Sequence, residues 1–277
     1  MVSRYREIAV NKRWQWRGAI LGLVLVTVML SCGGETEEAS RHEVPIFIDG
    51  TGIDRFETDR GYEVDIDVVK LGIERVEFTV GGEEHARSQE WRQWLQRGLL
   101  PVAVAHPNHA SGGEVAGEFV GPVVAQFRSG ELEEIGTAIF LEGDYAGYNV
   151  TFMGEDGSTA DAELLEPGLL GRIRGEVAKD GEEIGFVVEA AHFSSADVIG
   201  GGFAGSINDG QTTGVALEFL TVAPGLGTTI FDGVQFSQLE ADEEGTVWIE
   251  DGSLAHAEIR SAMTSHQFYS GRILNQQ

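Results

Sequence analysis

Two histidines separated by a proline and an asparagine head a stretch of this chain that gathers imidazole and carboxylate metal ligands. It reads Ala105-His106-Pro107-Asn108-His109-Ala110-Ser111-Gly112-Gly113-Glu114-Val115-Ala116-Gly117-Glu118-Phe119. A neutral imidazole accepts a transition metal without a charge cost. Pro107 stiffens the segment and lowers the entropy lost on closing a site. Gly112-Gly113 permits a tight return, and the alternation of a strand would put Glu114 and Glu118 on one face. The same alternation describes an ordinary solvent face, and backbone hydrogen bonds could satisfy both imidazoles. A structural loop is therefore the alternative. A further donor would be remote: His192 first, supported by Glu189, with His85, His256 and His266 weaker. His266 falls on an apolar helical face, where a core histidine is the simpler account. After the first 31 residues only Met153 and Met263 remain as sulfur donors besides Cys32. That disfavours Cu(I) and leaves Zn²⁺, Cu²⁺ or Fe/Mn on N and O ligands.

A second constellation is Glu240-Ala241-Asp242-Glu243-Glu244-Gly245-Thr246-Val247-Trp248-Ile249-Glu250-Asp251. It resembles an EF-hand calcium loop, with acids at positions 1, 3 and 5, glycine at 6, an aliphatic at 8 and an acid at 12. The resemblance implies Ca²⁺ on Glu240, Asp242, Glu244, Thr246 and Asp251, because alternate carboxylates converge on one hard cation while glycine makes the turn. Glu240, Glu244 and Asp251 depart from the usual Asp, Asp/Asn and Glu. Any affinity would be of extracellular grade, roughly 10⁻⁴–10⁻³ M.

The elements around these residues begin with an address. Met1–Arg17 carries five bases and one acid, and Gly18–Leu30 is apolar apart from Thr27. That run is shorter than the ~20 residues a bilayer-spanning helix needs and suits a secretory core of ~7–15 residues. Met29-Leu30-Ser31-Cys32-Gly33 resembles a bacterial lipobox, implying a signal peptide over 1–31, acylation of Cys32 and a lipoprotein of the cell envelope. A membrane anchor with a buried cysteine is the alternative. Gly33 is compatible with export to the outer membrane, facing the periplasm or the surface. The chain has 19 Lys and Arg against 45 Asp and Glu, net −26, and removal of the leader would leave −30. Such a surface repels nucleic acid and anionic headgroups and attracts cations. With one cysteine, no disulfide framework can form.

Residues 32–45 read as an acidic tether, with one domain over 46–277. Glu63–Val68 and Arg75–Val80 alternate strictly, the mark of half-buried strands. Gly72 between them predicts a bend or bulge. Ser88–Leu100 predicts a short helix, with Trp91 and Trp94 as a lid or a recognition patch. Strands are expected over 114–127, 136–142, 148–153, 171–178, 183–191 and 213–222, with a tight hairpin at Lys179-Asp180-Gly181. Asp197–Gly210 predicts a short strand and turn. Helices are expected at Phe231–Leu239 and Ser253–Tyr269, the latter capped by Ser253. The sum is a mainly β protein: one antiparallel β-sandwich or open barrel with a short helical, EF-hand-like appendage at 226–270.

No nucleophile elbow, zinc-protease helix, phosphate loop or Cys-x-x-Cys pair is present. The runs Ala105–Glu118 and Leu226–Asp242 resemble a pattern in uncharacterised lipoproteins of Gram-negative bacteria, which implies the address and architecture but no activity. The leading expectation is a non-enzymatic lipoprotein that binds a metal ion or metal complex, passing it to an outer-membrane transporter. A structural or adhesion module steadied by calcium is the second. A hydrolase using scattered carboxylates is a third.

Overall fold

A computed structural model describes residues 40–80, 114–153, 165–166, 168–191 and 198–275. They all belong to one compact unit that starts at Ser40. Chain order gives β1 (Arg41–Asp49), β2 (Phe56–Glu57), β3 (Glu63–Val80), β4 (Glu114–Phe127), β5 (Leu132–Leu141) and β6 (Gly143–Phe152). There follow β7 (Leu169–Lys179), β8 (Glu182–Ala191), β9 (Val198–Ile207), β10 (Thr212–Phe219), β11 (Thr246–Ile249), helix α1 (Leu254–Met263) and β12 (Tyr269–Asn275). The fold begins earlier than the sequence indicates, because Arg41–Val44 already pair with Ala138–Leu141 of β5.

The protein is mainly β, as its alternation predicts. Neighbouring strands follow the order β11-β8-β7-β3-β4-β5-β1-β10-β12-β9-β6, and β6 returns to pair with β3. Eight strands, β3-β4-β5-β1-β10-β12-β9-β6, thus form a ring, and β7, β8 and β11 extend as a wing. The long strand β3 makes this possible. Its first half pairs with β7 and its second half with β6, while β4 runs along its other edge. Three pairings, β1–β10, β8–β11 and β9–β12, run parallel rather than antiparallel.

Gly72 lies inside β3, and register shifts on either side of it bend the strand. A Cβ at Gly72 would come within 2.6 Å of Met153 Cε, so glycine here admits a side chain from across the sheet. The hairpin at 179–181 forms as expected, with Asp180 and Gly181 both at positive φ, the backbone of a type I′ turn.

Two aromatic clusters fill the two parts. Phe78, Phe140, Tyr145, Tyr148 and Phe203 pack within the ring, Phe78 and Phe140 at 4.7 Å between centroids. Phe56, Tyr62, Phe186, Phe231 and Phe236 pack under the wing, Phe186 and Phe231 at 5.1 Å. The second cluster explains why Phe231–Leu239 is not a helix. Gly233 sits at φ +88, outside helical space, and both phenylalanines are drawn into the core. Only a 3-10 turn at Phe236–Gln238 remains. Ser253 caps α1, its Oγ accepting the His256 N–H at 3.0 Å. The helix then stops at Thr264, well before Tyr269, and the chain returns to the sheet as β12 beside β10.

Asp49 ties this assembly together. It is fully buried at the end of β1, and Arg272 of β12 donates to its Oδ2 through both Nε and a terminal nitrogen, spanning β10. Burial pushes its carboxyl up, but hydrogen bonds from Thr51 and the Arg272 guanidinium outweigh that and hold it below the usual carboxylate range.

Candidate metal centre

Strand β4 begins at Glu114, where the sequence puts its start, and the residue opposite is Val80, the last of β3. The segment 81–113, which carries His106 and His109, therefore leaves and re-enters the fold at one point on the rim of the ring. His106, His109 and His192, like the helix expected at Ser88–Leu100, lie outside the described residues.

Glu114 and Glu118 do not share a face. The register passes from Phe78↔Gly117 to Thr79↔Val115, so Ala116 is an extra residue in β4, a β-bulge. Directly opposed residues share a face. Glu118 opposes Glu77 and Glu114 opposes Val80, and positions 77 and 80 of an alternating strand face opposite ways. Val80 packs against the core on the side of Phe78. Glu114 accordingly rises on the core-facing side, at the mouth of the ring. Glu118 stands on the outside, 3.7 Å from the Arg75 guanidinium. Glu114 is exposed and makes no ion pair with a described residue.

The bulge has its own support. The Tyr145 hydroxyl lies 2.8 Å from the carbonyl of Ala116, the extra residue, and 2.8 Å from that of Leu141. Burial pushes this phenol up to about 12.

His192 follows the end of β8. Within that strand Ala190 is level with Leu71, both opposing Gly171 of β7. Val80 lies nine residues further along β3, roughly 30 Å at ~3.3 Å per residue. Glu189, expected to assist His192, is held by Arg172 in a short hydrogen bond. His256 is buried on α1 with Nδ1 3.4 Å from Asp251 Oδ1, and His266 sits in a 3-10 turn. Among the described residues no three His, Cys, Asp or Glu side chains are grouped to hold a metal ion.

The loop at 240–251 has the glycine of an EF-hand but a different architecture. Gly245 takes the positive φ that the turn requires, +84. Around it the chain folds back as a β-turn: Ala241 bridges Val247, and the Asp242 N–H donates to the Thr246 carbonyl at 2.9 Å. That carbonyl belongs to position 7, where an EF-hand offers backbone oxygen to calcium. Asp242 is taken up in the same way. Its Oδ1 accepts the N–H groups of Thr246 and Glu244 at 2.8 and 2.9 Å, and its Oδ2 accepts the Trp248 indole N–H at 2.9 Å. The Thr246 N–H first, then Trp248, lower its pKa. Asp251 accepts the Gly252 N–H at 2.9 Å. Glu240 and Glu244 are exposed. Where an EF-hand runs directly into its exiting helix, this chain makes β11 beside β8 and starts α1 only at Leu254.

One grouping escaped the sequence. His42 read as part of a polar tether, yet it lies in β1 between Ser40 and Asp209. Nothing in the local pattern marks it, because Asp209 comes from the turn between β9 and β10.

No protein-family model matches the chain, and neither the curated proteins nor the solved structures include a significant match to it. The molecule defines itself by architecture alone: a ring of eight strands with a three-stranded wing.

Proposed function

We propose that this chain is a cell-envelope lipoprotein, acylated on Cys32, that holds a divalent transition metal at the mouth of its strand ring through His106, His109 and Glu114. The observation that carries this reading is the position of Glu114. The bulge at Ala116 turns it to the core-facing side of the rim, five residues after His109, with its carboxylate unpaired among the described residues. Two imidazoles and one carboxylate with an open fourth position suit Zn²⁺, and Fe, Mn or Cu²⁺ accept the same donors. A long excursion anchored on a rigid strand pair is the usual setting for a binding loop.

The donor set is narrower than the sequence suggests. Glu118 belongs to the outer face and to Arg75, and β8, the strand before residue 192, ends at a distant level of the sheet. A net charge near −30 concentrates cations around the molecule and favours cargo that arrives as a free or weakly bound cation. Delivery to an outer-membrane transporter is consistent with the address and rests on it.

The test is the metal content of the purified chain, and its zinc affinity by calorimetry, for wild type, His106→Ala/His109→Ala, Glu114→Ala and Glu118→Ala. The first two variants should lose metal and the last should retain it. Equal stoichiometry in all four would end the proposal. Metabolic labelling with palmitate, lost on Cys32→Ala, checks the anchor separately.

A further inference from the structure

Where the wing joins the ring, one row of side chains crosses the sheet. Lys70 of β3 is directly opposed by Gln126 of β4 on one side and by Arg172 of β7 on the other, and Arg172 in turn by Glu189 of β8. Directly opposed residues share a face. Val69 and Leu71 are buried, so Lys70 between them stands on the face turned away from the core. We infer that Lys70 is a reactive amine that condenses reversibly with small 2-oxo acids to form an imine, with the Arg172 guanidinium receiving their carboxylate. This activity is separate from metal binding and uses none of its residues.

Cations and apolar side chains converge on this amine. Arg128 reaches over Gln126, its Nη2 donating to Oε1 at 2.8 Å. Arg174 stands two residues from Arg172 on the same face of β7. On the other side of the row, Gly72 and Val124 follow Lys70 and Gln126 on that face and oppose each other. Val124 forms a small apolar cluster there with Met153 and Leu165, and a Cβ on Gly72 would run into the last two. Burial first, then Arg172, Arg128 and Arg174, hold the amine below the usual lysine range. A larger share of it therefore carries a lone pair at neutral pH, the state that attacks a carbonyl. The nearby acids are engaged by the guanidinium groups: Glu189 and Glu166 by Arg172, Asp67 by Arg174, and Glu131 and Glu133 by Arg128. Arg172 still keeps donor capacity, because its Nε has no acceptor among the described residues. A carboxylate arriving beside Lys70 meets a guanidinium with a bond left to give.

In the reaction the Lys70 Nζ lone pair bonds to the 2-oxo carbon, and the carbonyl oxygen takes up a proton from the nitrogen. The resulting carbinolamine loses its hydroxyl together with the remaining N–H proton as water, and a C=N bond is left. One amine and one carbonyl give one imine and one water. Nothing is oxidised or reduced, and addition of water reverses the step.

Lysine occurs only at Lys12, Lys70 and Lys179, which gives the test an internal reference. The Lys179 amine donates to the Arg60 carbonyl at 2.6 Å and lies 4.5 Å over the Tyr62 ring. The full chain is treated with glyoxylate or, separately, with acetaldehyde. Cyanoborohydride is present in both to reduce any imine, and the labelled peptides are read by mass spectrometry. Lys70 should be labelled before Lys179. Its lead should be larger with glyoxylate, which carries a carboxylate, than with acetaldehyde, which has none. Arg172→Gln should slow glyoxylate labelling of Lys70 severalfold at neutral pH and move its pH profile upward, because losing a neighbouring cation raises the amine's pKa. Arg172→Lys, which keeps the charge, should restore most of the profile. Circular dichroism of each variant shows whether the fold is retained, and Arg174→Gln, at an exposed position, is read for the same shift if Arg172→Gln unfolds. Labelling of Lys179 as fast as Lys70, an equal lead with both aldehydes, or an unmoved pH profile in the folded variant would overturn the proposal and leave Lys70 as one member of a surface charge row.

Discussion

Two stretches of this molecule offer metal ligands in sequence and behave differently in structure. The loop 240–251 has the richer ligand spacing, yet its central carboxylate, Asp242, accepts three hydrogen bonds from its own turn. The rim at Glu114 has the poorer spacing, yet its carboxylate is turned to the mouth of the ring and left without a partner among the described residues. A carboxylate already saturated by N–H groups gains little from a cation and must give those bonds up to bind one. An unpaired one at a rim has nothing to give up. Ligand spacing therefore ranks the two sites in one order and hydrogen-bond occupancy ranks them in the other.

The sharpest way to test this contrast is to remove one carboxylate from each side and read both stability and metal. Asp49, the most enclosed acid, marks one end of the scale. Asp49→Ala should destabilise the fold by about 1–3 kcal/mol in urea denaturation, since it removes the buried acceptor of the Thr51 N–H and of the half-exposed Arg272. Glu114→Ala should leave stability unchanged within about 0.5 kcal/mol. Its zinc affinity should instead fall by more than the ~10–100-fold typical of an outer-shell partner. A Glu114 variant that unfolds, or that keeps full affinity, breaks the comparison.

Tyr145 offers a smaller effect at the same rim. Tyr145→Phe removes the hydroxyl beside Ala116 and should cost about 1 kcal/mol, with some loss of metal affinity as the bulge relaxes. Its pH dependence has a definite sign. A phenol raised from about 10 to about 12 on folding stabilises the protein fully below pH 10. That contribution fades as pH rises through 12. Wild type should thus lose stability relative to Tyr145→Phe between pH 10 and 12, measured by denaturant midpoints across that range. Asp49 and Asp242 have the opposite sign. Their lowered values mean stability that is complete above the ordinary carboxylate range and lost as pH falls through the folded values.

The smallest effects come last. Asp242→Ala should lower the melting temperature by freeing Trp248 and opening the turn, while calcium should move wild type by less than about 1 °C. A larger calcium shift would establish the loop as a metal site. Glu118→Ala should change neither stability nor metal affinity measurably.

Much of the fold was legible in the residues. The bounds of β4 and the turn at Lys179-Asp180-Gly181 follow from alternation and from a position that tolerates positive φ. Other elements were hidden. β9 reads as only a short strand and turn, but it runs from Val198 to Ile207 because its glycines make room: a Cβ at Gly201 would lie 2.1 Å from the Tyr148 ring. β12 (YSGRILN) carries little alternation, and its strand conformation comes from β10 beside it. The helix expected over Phe231–Leu239 lost to Gly233 and to the aromatic cluster under the wing.

The site divides along the same line. The sequence supplied the candidate donors, because imidazoles, a proline and a glycine pair are local. It could not reveal that one extra residue in β4 parts Glu114 from Glu118, since a bulge exists only relative to the partner strand.

By itself the sequence determined that the chain is mainly β and strongly acidic. Those properties follow from composition and from a period of two, which each residue carries without reference to distant partners. Tertiary structure alone decided that the sheet closes through β3 and β6, that Glu114 faces the mouth, that Asp242 is saturated, and that His42 meets Asp209. All but the Asp242 bonds, which close within one local turn, depend on register between segments far apart in the chain, and register is set by which side chains fill the core together.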